Sequence, residues 1–527
     1  VTPEERHQLL SHVKLGHSVA EEEAESIKGY FVKTDQWKRL DAGEIDVVLG
    51  AKGSGKSALY TLLSQSESTF FDRNILIYLA ENPQGSPVFE ALVGGPTLSE
   101  RSFSYLWKLY FLTLIGNLLR DYGIASQDAT ELVKALEEAK LLPKQKKAGL
   151  QAIFESVRGW LSSFLTEKLS ALEFEVTINP DNGMPLAKIK SAWESESEPE
   201  KLARLPIEQL LGVANSALES ADLNAWILLD RLDVAFHESG ELERVALRSL
   251  FRTYLDLKAY KRLCLKLFVR HDVWHRLTQG GFTELSHITK TSDIAWGTEG
   301  LVNLIVQRLL KNEFLIKTLD INSNEVLSSY QEQEKLLLRI LPDDLERRLK
   351  GRAIDWMVRR LADGSGHTAP RELIQLWSYA RERQMRRIER GEAKLDGDKL
   401  FESNVFEAAL SDVSTTRFTK TLLAEYKFLE IYVKAFEGQK TEYSVSGLCR
   451  LWNVDPSEAA RLATHLVEVG FFEKPQGRTD GFDFIVAWIY RPTLNLVNGK
   501  AFALTTNTTS GPLTFGKDTG TNSPSGK

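Results

Sequence analysis

The chain has 527 residues, 43% apolar and 26% charged, with a formal net charge of −6. That is an ordinary globular balance, long enough for roughly two to four domains, and it excludes polyanion binding by bulk charge. Cys264 and Cys449 are the only cysteines, which excludes a disulfide scaffold or a cysteine zinc site. No apolar stretch reaches membrane-spanning length and the first residues hold no signal-peptide core, so a cytoplasmic chain without a membrane partner is expected.

Residues 1–40 read as amphipathic helices leading into an apolar strand at 45–49. The turn that follows, "GAKGSGKS" at 50–57, fits the pattern G-x-x-x-x-G-K-[ST], and a helical run through Ala58, Leu59, Leu62 and Leu63 comes next. Each part has a physical job. Gly50, Gly53 and Gly55 let the backbone turn sharply close to a phosphate. The amides of about Lys52 to Ser57, including Ser54, point at phosphate oxygens, and the helix start, with Ala58 in its first turn, adds a positive dipole end. Lys56 reaches the β- and γ-phosphates, and the Ser57 hydroxyl holds Mg²⁺. ATP and Mg²⁺ are the expected cofactors.

Further strands are expected at 74–79, 225–229 and 263–269, with a weaker one at 287–295. Helical patterns separate them, which argues for an α/β fold with a parallel sheet. The gap at about 100–205 is too long for one crossover and reads as an insertion. It holds an apolar helix at 102–119, more helix at 129–172, a hairpin around the turn 179–183, and an acidic loop at 194–200. "WILLDRLD" (226–233) puts Asp230 at the carboxyl end of a buried strand, where it can order the Mg²⁺ shell with Ser57. Asp233 can align or deprotonate water, or merely cap a helix. "LKLFVRHD" (265–272) delivers Arg270 to a strand end, where it can touch the γ-phosphate or pair with Asp272. Arg276 can reach a neighbouring subunit's nucleotide or simply be exposed.

Residues 298–415 read as a helical lid. "GSGHTAPREL" (364–373) sets Pro370 and Arg371 at a helix start, so Arg371 can reach the phosphates and couple lid angle to nucleotide state, or merely be solvated there. Between residues 347 and 394 there are 13 Lys/Arg against six Asp/Glu. Arg383, Arg386, Arg387 and Arg390 share a face that offers either a nucleic-acid backbone surface or a solvated helix with paired charges. Residues 420–503 run helix, helix, helix, hairpin, the order of a winged helix. Its third helix sets Arg461 and His465 against Glu458 and Glu468, a poor major-groove reader. Residues 504–527 are expected to be disordered.

These motifs together resemble the AAA+/STAND division of P-loop ATPases: Walker A (50–57), Walker B (227–230), a polar residue after the next strand (Arg270), a lid with Gly-x-x-x-Pro-Arg (366–371), and a terminal winged helix in initiator-like order. "LLDRLD", "LFVRHDVW" and the helix containing Trp107 resemble more particularly a bacterial P-loop ATPase family, some of whose members occur in antiphage defence contexts. The resemblance covers about residues 30–500. It implies a P-loop core with a helical insertion, and an ATP-hydrolysing conformational switch or remodeller acting on nucleic-acid or protein complexes. A protein effector and further copies of the chain are implied candidate partners. One departure matters: many AAA+ proteins carry Glu directly after the Walker B Asp, and here that residue is Arg231. The base then moves to Asp233 or is poor, and slow hydrolysis is expected. A non-hydrolysing ATP-dependent scaffold and a P-loop phosphotransferase stay open, the second disfavoured by the large lid.

Overall fold

The computed structural model describes residues 1–13, 15–16, 31–32, 34–81, 88–89, 99–143, 149–165, 173–178, 185–190, 207–231, 240–279, 281–343, 345, 353–477 and 480–501. The turn at 179–183, the acidic loop at 194–200, Asp233 and the tail at 504–527 lie outside them.

In chain order the first strands are β1 (Val47–Gly50), β2 (Ile75–Leu79), β3 (Glu173–Ile178), β4 (Pro185–Lys190), β5 (Asn224–Leu229), β6 (Leu263–Arg270) and β7 (Thr291–Asp293). Strands β3 and β4 form a separate antiparallel hairpin. The other five make one sheet in the order β2-β5-β6-β1-β7, every neighbouring pair parallel. The fold is therefore α/β, as the alternation of apolar strands and helices implies.

Both faces of this sheet are covered, which is why its strands read as continuous apolar runs. Val47, Leu49, Leu76, Ile227 and Leu229 face one way and Val48, Ile77, Trp226, Leu228 and Phe268 the other. The second set packs with Leu59, Tyr60 and Leu63 of the helix Lys56–Gln65. The first meets the helix Glu100–Asp121, which is buried all round from Leu106 to Leu119. This part of the expected insertion thus forms the core layer over one sheet face, and Trp107 Nε1 donates to Ala246 O at 2.9 Å within it.

One polar residue interrupts the β6 run. Lys266 is fully buried, donating to Asp46 Oδ1 at 2.9 Å and to Ile45 O at 2.6 Å. The pair ties β6 to the entry of β1 at the edge of the sheet opposite the phosphate-loop turn, so the lysine is satisfied within the core.

A second apolar core joins the N-terminal helix Pro3–His12, the helices from Thr298–Leu309 to Ser403–Arg417, and the C-terminal residues. The N-terminal helix lies against the helix Pro370–Glu389, where Arg381 Nε donates to Leu10 O at 2.6 Å. The last strands are β8 (Lys440–Tyr443), β9 (Phe472–Glu473), β10 (Phe484–Val486) and β11 (Val497–Lys500), ordered β11-β8-β10-β9 beside the helices Val445–Trp452 and Pro456–Glu468. Among the described residues no helix is long and apolar enough to cross a membrane.

Candidate functional site

The carboxyl ends of β1, β2, β5, β6 and β7 share one edge, where ligands of parallel sheets bind. After β1 the backbone turns through Gly53 and Gly55 at φ +80° and +104°, and the helix starts at Lys56. Lys56 is buried, and its Nζ donates to the carbonyls of Gly50 and Ala51 at 2.9 and 3.0 Å. The Ser57 hydroxyl donates to Asp230 Oδ2 at 2.9 Å. Two residues 173 apart in sequence are thus brought together, one on the helix after β1 and the other at the end of β5.

A magnesium nucleotide fits these residues. Ser54 Oγ is buried without a hydrogen-bond partner beside the cleft that the turn lines, and an anion at the helix start would face amides and Lys56. Ser57 and Asp230 supply the oxygen donors that Mg²⁺ prefers. Ala58 lies in the helix's first turn. Trp296, which the sequence does not single out, clamps the turn by donating from Nε1 to Ser54 O at 2.7 Å.

The helix Pro370–Glu389 comes close to the turn. A Cβ built on Gly53 would stand 3.1 Å from Arg371 Cβ and 3.5 Å from Ala369 Cβ, so this glycine is needed for close approach as well as for its backbone angle. Arg371 is therefore at the phosphate-loop turn, in the first helical turn of Pro370–Glu389. The glycine stretch before it is held rather than loose. Gly364 N–H donates to Gly470 O at 2.7 Å, and a Cβ on Gly364 would meet Phe472 O at 2.2 Å. Arg417, buried beneath, donates to Glu372 Oε1 at 2.8 Å. Trp488 of the C-terminal module lies between Arg360 and Arg491, each 3.6 Å from its ring centre.

Arg270 does lie at the strand end, but its guanidinium is engaged. It makes a two-point contact with Asp272 at 2.9 and 3.0 Å, and Nη2 also donates to Glu425 Oε2 at 2.6 Å. Lys52 of the turn pairs with the other oxygen of Glu425. Tyr426 OH donates to Asp272 Oδ2 at 2.7 Å. Burial acts to raise the Asp272 carboxyl, yet Arg270, Arg276 and the Tyr426 hydroxyl hold it well below the usual carboxylate range. Arg276 pairs with Glu243 at 2.9 Å and Asp272 at 3.1 Å. Sequence reasoning missed Glu425 and Tyr426; no local pattern marks them.

On the basic helix, Arg383 pairs with Asp412 at 2.6 Å and Arg387 with Glu402 at 2.8 Å, while Arg386 and Arg390 are exposed. Acids from the next helix and the loop before it thus offset two of the four charges. In the helix Pro456–Glu468, Arg461 pairs with Glu458 and His465 with Glu468.

No protein-family model matches the chain, and no curated protein matches it. Among solved structures it is similar to the ORC2 protein of Aeropyrum pernix, solved as ADPNP-ADP complexes, at 14% identity. The match covers 90% of this chain and 94% of that one, with a TM-score of 0.29. A likeness that distant bears on neither the site nor the activity.

Proposed function

We propose that this chain is a Mg²⁺-dependent ATPase of the AAA+/STAND type that works as a conformational switch or remodeller. The observation that carries the reading is the Ser57–Asp230 hydrogen bond of 2.9 Å at the start of a glycine-turn helix. It joins the serine and the aspartate that Mg²⁺ would need, next to buried Lys56. In this reading Lys56 binds the β- and γ-phosphates, Lys52 and the amides of the turn hold the phosphate oxygens, and Ser57 with Asp230 holds the metal. Mg²⁺ would neutralise charge on the phosphates. Asp233 is the sequence candidate for aligning water, and Arg270 and Arg371 are the candidates for reading the γ-phosphate.

The contacts of Arg371 with the turn and of Glu425 with Lys52 and Arg270 support coupling of nucleotide state to the lid and to a C-terminal winged helix. A protein complex is the better-supported target, because half of the basic face is paired. A role in antiphage defence rests on the sequence resemblance alone, and a phage challenge of cells with and without the gene tests it. The deciding experiment for the activity is ATP titration of wild type and Lys56→Ala. Affinity lost in the variant supports the reading; equal affinity overturns it. A non-hydrolysing scaffold is the second reading, favoured by Arg231, held at φ +61° directly after Asp230.

A further inference from the structure

With Arg231 following Asp230, the water-aligning carboxylate of the proposed ATPase has no local position on β5. The neighbouring strand supplies one. Strand β2 pairs with β5 in parallel, with Leu79 opposite Leu228. The ladder runs on past the strand end, because Ala80 N–H donates to Leu228 O at 2.8 Å. Two residues beyond that last pair come Glu81 on one chain segment and Asp230 on the other, each just past the carboxyl end of its strand. Both are buried, at 0% and 4% exposure.

Two phenols fix the backbone where Glu81 leaves the sheet. Tyr110 OH donates to Ala80 O at 2.7 Å and Tyr60 OH to Glu81 O at 2.6 Å. Tyr60 feels both carboxylates. Its phenol is pushed well above its ordinary value, by burial first and then by the charges of Asp230 and Glu81. Tyr60 lies on the helix that begins at Lys56, one turn beyond Ser57, so Glu81 belongs to the neighbourhood of the proposed metal and phosphate. Its head group is oriented by Val88 N–H, which donates to both oxygens at 2.9 and 3.1 Å.

We propose that Glu81 is the general base of ATP hydrolysis, in a role that the sequence pattern gives to Asp233. This rests on the ATPase reading above. In the step, the water oxygen forms a bond to the γ-phosphorus, and the bond from that phosphorus to the bridging oxygen breaks. The electron pair leaves with ADP. The water proton passes to the Glu81 carboxylate and from there to the released phosphate. Asp230 holds the metal and Glu81 holds the water, a division that two adjacent strand ends make possible.

The test uses Glu81→Gln in the full chain, with Asp233→Asn and Lys56→Ala in parallel. Glutamine keeps an oxygen that accepts from Val88 N–H but cannot take up the water proton as a base. Expected for Glu81→Gln are an unchanged melting temperature, ATP affinity within about threefold of wild type, and ATP retained intact on the protein after desalting with Mg²⁺. Turnover falls by about 10²- to 10⁴-fold, the usual contribution of a general base, and the fall exceeds that of Asp233→Asn. Near-normal turnover in Glu81→Gln overturns the proposal, as does loss of its fold or of its ATP binding, which would assign the residue to structure. Wild-type protein that binds ATP through Lys56 but never hydrolyses it overturns the base and leaves nucleotide binding standing. Wild-type protein that binds no ATP overturns the ATPase reading itself.

Discussion

Glu425 receives Arg270 Nη2 at 2.6 Å across 155 residues of sequence, and its second oxygen takes Lys52 from the phosphate-loop turn. One carboxylate of the C-terminal module thus sits between two cations that the proposed nucleotide site would use. A triphosphate bound at the proposed site would compete with it for the same charges. Glu425→Ala is expected to tighten ATP binding by about tenfold, equivalent to about 1.4 kcal/mol. Titration of both proteins at one salt concentration checks this. Weaker binding would mean that Glu425 shapes the site instead of competing for it.

Asp272 anchors the same junction through Arg270, Arg276 and Tyr426. Removing its charge leaves the largely buried Arg270 short of a partner, so Asp272→Asn should cost about 3 kcal/mol at neutral pH. The carboxyl is held below its unfolded value. Its stabilisation is therefore complete above about pH 4 and is lost as pH falls toward the folded value. Denaturant titrations at several pH values should show the gap between wild type and variant closing only below that point. A gap constant down to the most acid conditions would contradict this.

The central strands were legible because a parallel strand buried on both faces must be apolar throughout: the expected runs at 45–49, 74–79, 225–229 and 263–269 match β1, β2, β5 and β6 closely. The glycine turn was legible because its chemistry lies within eight residues. Glu81 carries the same local signal as Asp230, an acid at the end of an apolar run, yet only the strand order shows that the two are neighbours. Glu425 and Tyr426 carry no local signal, since their partners lie far away in sequence. Gly364 illustrates a different limit. A glycine between helices suggests a hinge, but here it is required by the carbonyl of Phe472 pressing on it.

Arg371 lies close to the turn, where a Cβ on Gly53 would stand 3.1 Å from the arginine's own Cβ, so its removal should uncouple the helical region that carries it more than it weakens binding. For Arg371→Ala we expect ATP affinity within about fivefold of wild type. We also expect loss of any difference between ATP- and ADP-bound forms in small-angle scattering. A coupling of about 1–3 kcal/mol is enough to produce that difference in wild type. A variant that still changes shape with nucleotide would place the coupling elsewhere, with Glu425 the next candidate.

The basic helix makes a quantitative prediction about nucleic acid. Arg383 and Arg387 are paired, leaving Arg386 and Arg390 to meet phosphates. Any DNA or RNA binding should then be weak and show a shallow salt dependence, with a log–log slope of about −2, since each neutralised phosphate contributes about −0.9 on duplex DNA. Arg386→Ala with Arg390→Ala should abolish it. A slope steeper than about −4 would require Arg383 and Arg387 to leave their carboxylates.

The Ser57–Asp230 contact makes the sharpest test of the metal assignment. If the two residues hold one Mg²⁺, each alone should remove most of the metal's effect on ATP affinity, because an ion missing one of its few protein ligands loses geometry as well as charge. Ser57→Ala and Asp230→Asn should each bind ATP nearly equally with Mg²⁺ or with chelator, whereas wild type binds more tightly with Mg²⁺. The double variant should lose little beyond the worse single one, since residues acting on one shared partner are not additive. Lys56→Ala should differ in kind and lose ATP affinity in both conditions, because its target is the phosphate. Calorimetric titration of the four variants with and without Mg²⁺ separates these patterns. Additive losses at Ser57 and Asp230 would mean that their 2.9 Å hydrogen bond joins two independent structural groups and not one metal site.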